Sequence, residues 1–241
     1  MTEEQFTDKI EAADVARMPQ EYQDLLVRVL RIQADCEIGG PHLYVREWLL
    51  SAPSSDDQWM LAKVAGEEID HFRKMNRLLN ELGHDASHLL AIPKSRRELE
   101  AFRQDMPTWA DVAVFGFLID RVGQYQLEEF IDCSYAPLDR VLPRIIQEEK
   151  THVGYGHVKL REMARSEEGQ AAAQAALDRW YSKGLDMFGM SNSRRAARYV
   201  RWGLKRRTNE QARRQYIAEV TPPIRELGLV VPDERAGRHF L

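Results

Sequence analysis

Two short motifs, Glu68-Ile69-Asp70-His71 and Glu149-Lys150-Thr151-His152, constrain this chain more than any other feature. At i,i+3 on a helix the carboxylate and the imidazole share one face. Apolar residues at helical spacing surround each motif: Leu61, Val64, Ala65, Phe72 and Met75 for the first, Ile145, Ile146, Val153 and Leu160 for the second. One Glu-x-x-His arises often on a solvated helix. Two copies on core-directed faces call for a buried cation, because an unpaired charge is very unfavourable in a core.

The rest of the chain fits helices and little else. Gly and Pro are sparse, 14 and 10 in 241 residues, and fall between long stretches that repeat apolar residues every three or four positions. The pattern predicts an all-α protein with one domain over residues 1–241, a four-helix bundle over about 19–165 followed by a helical extension over about 166–241. The first helix runs from about Pro19 toward Leu50, with an interruption expected at Gly39-Gly40-Pro41. A second spans about Gln58 to Leu82 and is closed by Gly83. After a long polar connection, Asp85 to Met106, a third helix covers 107–133. A turn is expected over Tyr135 to Pro143, then a fourth helix to about Arg165. An Ala-rich helix (167–188), a basic helix (193–206) and a helix opened by the capping box Thr208-Asn209-Glu210-Gln211 complete the set.

Helical bundles that hold two metals use two Glu-x-x-His helices and one carboxylate from each of the other two. In an antiparallel hairpin, residues at one height are equally far from the turn, so a ligand pair has its midpoint in the loop. Glu37 with Glu68 centres on 52.5, in the Ala52-Pro53 turn, and Asp120 with Glu149 centres on 134.5, at the turn beginning with Tyr135. Glu128 shares the Asp120 face but lies eight residues along it, about 12 Å away. The metal-ligand set is therefore Glu37, Glu68, His71, Asp120, Glu149 and His152. Its four carboxylates balance two divalent ions, and its mix of oxygen and imidazole suits iron or manganese. Six ligands shared by two ions leave open positions where O2 can bind.

Charge and composition exclude other classes. Lys and Arg number 34 against 38 Asp and Glu, a net −4. Residues 194–214 hold nine cations and one acid, so the remainder sums to −12, which argues against nucleic-acid binding by the chain as a whole. No run of about 18 apolar residues is present, so no membrane span is expected, and the acidic N-terminus is unlike a signal peptide; a cytoplasmic location is expected. Cys36 and Cys133 sit in apolar helical patterns and are expected as reduced core residues. A flavin-binding Gly-rich fingerprint and a cysteine set for an iron–sulfur cluster are both absent from the sequence, so electrons must come from outside the chain.

Over about residues 18–233 the chain resembles the ferritin-like di-iron proteins of phenylacetic acid catabolism. The segments MPQEYQDLLVRVLRIQADCEIGG, LAKVAGEEIDHF, TWADVAVFGFLID, CSYAP, QEEKTHVGYG, TNEQARRQY and ELGLVVPD carry the likeness. The resemblance implies a ferritin-like bundle in which the same six residues bind two iron ions, with Gln33, one turn before Glu37, able to add a ligand. It also implies O2-dependent monooxygenation or epoxidation of an aromatic acyl-CoA thioester, electrons from a separate reductase, and a related metal-free partner subunit or a homo-oligomer. A ferritin-like metal oxidase or store, and a non-catalytic subunit of an oxygenase complex, are the competing readings. For the basic segment 194–214, the functional reading is docking of CoA phosphates, with Arg198 and Arg201 as the candidates, or of an acidic partner surface, the alternative being a solvated basic helix.

Overall fold

The computed structural model describes residues 5–240 and is an all-α helical bundle; among these residues the extended pairing is limited to a single bridge between Ile10 and Tyr135. No described helix is long and apolar enough to cross a membrane. The chain divides into two compact units that interleave in sequence. The first comprises the residues up to Arg103 with Glu129–Ile145 and Ala197–Arg206; the second comprises Gln104–Glu128, Ile146–Ala196 and the residues from Arg207.

In the first unit, α1 (Gln20–Leu43) and α2 (Ser55–Glu81) form a hairpin. The apolar stripe Tyr22, Leu26, Val29, Leu30 and Ala34 of α1 is buried, as are Leu61, Val64, Phe72 and Met75 of α2. Ser54 starts α2 by accepting the Asp57 N–H at 3.1 Å, and Gly83, at φ +77°, ends it in a backbone region that side chains disfavour. The interruption expected at Gly39-Gly40-Pro41 is not there: α1 runs through it, and the irregularity is a π turn at Tyr44–Trp48. The glycines serve packing. A Cβ on Gly39 would stand 2.9 Å from the Phe102 ring, and one on Gly40 would stand 3.7 Å from Glu68 Oε2. Pro41 sits in the last turn of α1, and its missing N–H leaves the Glu37 carbonyl without its ordinary helical donor.

The polar connection after α2 is no solvated loop. It holds short 3-10 turns at Ser87–Leu90, Lys94–Arg96 and Glu100–Arg103, and it is pinned to α1 by Arg97, which is 1% exposed. Arg97 donates to Asp35 Oδ1 at 2.8 Å and to His42 Nδ1 at 2.9 Å, while the Glu98 N–H donates to Asp35 Oδ2 at 2.7 Å. Such a buried pair persists because each charge is matched and hydrogen-bonded.

In the second unit, α3 (Trp109–Val114) passes through a π turn (Phe115–Ile119) into α4 (Asp120–Glu128). The third helix thus ends five residues earlier than expected. Thr108 and Asp111 form a capping box at its start, and the buried Asp111 also accepts from Arg179 at 2.7 Å and Trp180 Nε1 at 2.9 Å on α6 (Glu167–Asp186). α5 (Ala136–Met163) contributes to both units. It begins where a turn was expected, because Pro137 stands in its first turn, where no N–H is needed, and the exposed Pro143 is accommodated inside it. α7 covers Arg194–Arg201 and stops five residues short of expectation at Gly203, φ +63°, where a Cβ would meet the Phe6 carbonyl oxygen at 2.5 Å. α8 (Asn209–Glu226) has the expected Thr208 capping box, and its Tyr216 hydroxyl donates to the Leu118 carbonyl of the π turn at 2.9 Å. Cys36 and Cys133 are buried and free.

Candidate metal centre

α1 and α2 place three of the expected ligands together in the first unit. Glu37, Glu68 and His71 are 3%, 7% and 0% exposed, and each offers a ligand atom within 4.8 Å of the others. His71 Nδ1 lies 3.2 Å from Glu37 Oε2, and Gln33, one turn earlier on α1, donates to Glu37 Oε1. Gln33 therefore holds one carboxylate oxygen while the other faces the imidazole. Two carboxylates this close and this dry repel each other unless a cation or a proton shares the space. The donors are hard oxygens and a borderline nitrogen, a set suited to iron or manganese. Cys36, next to Glu37, does not join them as a thiolate: burial, then the charges of Asp35 and Glu37, push its thiol well above the ordinary range.

The second unit carries the other three. Glu149 and His152 are buried on α5, with His152 Nδ1 3.6 Å from Glu149 Oε2. Asp120 is the first residue after the π turn and is partly exposed. Its register against α5 follows from two glycines. A Cβ on Gly156 would lie 2.4 Å from Phe117 N and 2.6 Å from Gly116 C, so the two backbones touch there. A Cβ on Gly116 would in turn lie 3.7 Å from Asp120 Oδ2, which puts Asp120 on the touching face. Four residues toward the connecting turn from Gly116 is Asp120, and four residues toward it from Gly156 is His152. Asp120 is thus level with His152, and Glu149 lies about one turn beyond, some 4.5 Å at 1.5 Å per residue.

The competing acid Glu128 is engaged elsewhere, accepting from Gln124 Nε2 at 2.8 Å and lying 3.5 Å from Arg121 Nη1. Arg198 and Arg201, the residues considered for phosphate docking, both pair with Glu21, Arg198 Nε at 3.1 Å, and Trp202 Nε1 donates to the same carboxylate at 3.1 Å. Sequence reasoning overlooked the π turn and the Gly116–Gly156 contact. A signal for the latter existed, since Gly154 and Gly156 stand inside a helix, where glycine is unfavourable without a packing reason.

Comparison with known proteins bears on this arrangement. The family model described as "Phenylacetic acid catabolic protein" matches residues 1–240. The chain is 28% identical over 221 residues to one of the subunits of the 1,2-phenylacetyl-CoA epoxidase of Escherichia coli (strain K12), a match covering 90% of this chain and 71% of that protein. It is 27% identical over 223 residues to benzoyl-CoA oxygenase component B of Aromatoleum evansii, covering 80% of this chain and 47% of that protein.

Proposed function

Because the chain belongs to the phenylacetic acid catabolic protein family, we propose that it is the metal-bearing subunit of an O2-dependent oxygenase that monooxygenates or epoxidises an aromatic acyl-CoA thioester. The observation that carries the reading is the dry cluster of Glu37, Glu68 and His71, built from a lone carboxylate on one helix and a Glu-x-x-His on the next. Asp120, Glu149 and His152 would supply the matching half, so that six residues hold two iron ions, with manganese as the alternative and Gln33 as a further ligand. When bound, such a pair of ions supplies O2 activation. The chain's own work is placement. Gln33 fixes the orientation of the Glu37 carboxylate, the Gly116–Gly156 contact sets the height of Asp120 against His152, and the apolar surroundings keep water away. The names of both relatives, one from a phenylacetyl-CoA epoxidase and the other a benzoyl-CoA oxygenase component, support the substrate class and the need for other components. A separate reductase is part of the proposal because the sequence carries no flavin fingerprint and no iron–sulfur cysteine set.

Metal analysis of protein from iron-supplemented cells should find about two ions per chain. The chemically reduced protein, given O2 and an aromatic acyl-CoA, should yield a product carrying one added oxygen atom from O2. Less than half an ion per chain, or zinc alone, would overturn the reading.

A further inference from the structure

The second unit holds a cavity of about 360 Å³ on the flank of α5, distinct from the face that carries Glu149 and His152. Lys150, Val153, Gly154 and His157 line it from α5, a stripe at i, i+3, i+4 and i+7. On that helix Glu149 and His152 point about 90° and about 150° away from the centre of the stripe at about 100° per residue. Phe117 of the π turn and Val220 of α8 close the apolar walls. The floor is bare because residue 154 is glycine: a Cβ there would meet nothing within 4 Å.

The charge lining this space is uneven. Arg121 is matched by Glu219, which accepts from it at 2.6 and 2.9 Å and so ties α8 to α4 at the cavity's edge. His157 stacks against Phe117 with ring centroids 5.3 Å apart, and burial, then Arg161, lowers its pKa, so it stands as a neutral ring at neutral pH. Lys150 is different. Lys63, Lys74 and Lys159 each pair with a carboxylate three or four residues away on their own helix. Lys150 has Ile146, Gln147, Val153 and Gly154 at those positions, is exposed, and makes no ion pair among the described residues. The cavity therefore presents apolar walls, an aromatic edge and one uncompensated cation.

From this combination we infer that the α4–α5–α8 cavity is a binding site for a small aromatic monocarboxylate, its ring against Phe117, Val153 and Val220 and its carboxylate on Lys150. The site does not depend on the metal reading, since neither Glu149 nor His152 lines it. A free aromatic acid bound there would lie directly behind the ligand-bearing stretch of α5.

The test is a titration of the full chain with a fluorinated phenylacetate followed by fluorine NMR, with metal content recorded for every variant. Saturable binding is expected, weakened about tenfold or more by Lys150→Met, because a charge-assisted hydrogen bond is lost. Gly154→Leu, which fills the floor, should abolish it. The corresponding neutral amide should bind the wild type as weakly as the acid binds Lys150→Met. Circular dichroism confirms that both variants remain helical, and Gly154→Ala serves as a milder filling variant if Gly154→Leu does not fold. Absence of saturable binding, or equal affinity in wild type, Lys150→Met and the glycine variant, overturns the inference. So does binding lost on Arg198→Glu but kept in Lys150→Met, which would move the anion to the basic segment.

Discussion

The contact between Gly116 and Gly156 should respond to a single methyl group. An alanine at 156 places its Cβ 2.4 Å from Phe117 N, 2.6 Å from Gly116 C and 2.9 Å from Gly116 Cα, whereas ordinary contact begins at 3.4 Å. All three atoms are backbone, so no side chain can swing aside and the two segments must part by about 1 Å. Overpacking of a well-filled region costs about 1–3 kcal/mol, and rigid backbone on the far side argues for the upper end. Replacing glycine in a helix interior returns about 1 kcal/mol. The net is a destabilisation of about 2 kcal/mol, or a fall in Tm of roughly 4–8 °C for a chain of this size. Gly154→Ala and Gly123→Ala are the controls, because neither added Cβ meets anything within 4 Å. Each should hold or raise the Tm by a few degrees through helix propensity alone. Thermal unfolding of the metal-free protein by circular dichroism gives the comparison, and metal titration of the same samples shows whether Asp120 has moved with its backbone. If Gly156→Ala melts with Gly154→Ala, the backbones do not touch, and the register of Asp120 against His152 loses its basis.

Other substitutions probe single groups. Asp120→Ala should lose or loosen one metal ion and abolish O2-dependent product formation, while Glu128→Ala, whose carboxylate is held by Gln124 and Arg121, should keep the metal content of the wild type. The reverse outcome would show the ligand register to be wrong. Arg198→Glu with Arg201→Glu surrounds Glu21 with like charge and should lower the Tm slightly, since exposed pairs contribute at most about 1 kcal/mol each. If these arginines also receive CoA phosphates, the double variant binds an acyl-CoA more weakly and wild-type binding falls with salt; unchanged affinity assigns them to Glu21 alone. His42 accepts a hydrogen bond from Arg97, and burial, then Arg97 and Arg46, lower its pKa below the ordinary 6.5. The unfolded chain then binds a proton at a pH where the folded chain does not, so this contribution is full above about 6.5 and is lost as the pH falls toward the folded value. His42→Gln should therefore show a smaller drop in Tm between pH 7.5 and 5.5 than the wild type, and an equal drop would place the acid sensitivity elsewhere.

The buried positions of the candidate ligands Glu68, His71, Glu149 and His152 were legible because each combines two signals that seldom coincide, an ionisable side chain and an inward position. All four interrupt clear apolar stripes, and the turn that fixes the height of the first hairpin carries strong local chemistry, with Ser54 capping α2 by accepting the Asp57 N–H. Glycine was harder to read. Gly39-Gly40 looks like a break because isolated glycines weaken helices, yet packing against Phe102 and Glu68 outweighs propensity there. Pro143 misleads in the same way, since its effect on a helix depends on whether the freed carbonyl faces water, and its position is exposed.

The π turns were invisible for a different reason. Every residue from Ala110 to Ile119 is buried, so the apolar pattern there has no period, and a one-residue slip leaves no trace in it. Only beyond Ile119 does a polar stripe of Asp120, Gln124 and Glu128 resume. The slip has chemical weight nonetheless. Both lone-carboxylate helices contain such a turn, Tyr44–Trp48 after Glu37 and Phe115–Ile119 just before Asp120, while the two Glu-x-x-His helices contain none. A Glu-x-x-His pair is preset by regular i,i+3 geometry, whereas a lone carboxylate must be aimed by its backbone. At Asp120 the wider turn does the aiming: it lets Gly116 meet Gly156 and still presents the Asp120 carboxylate on that same face.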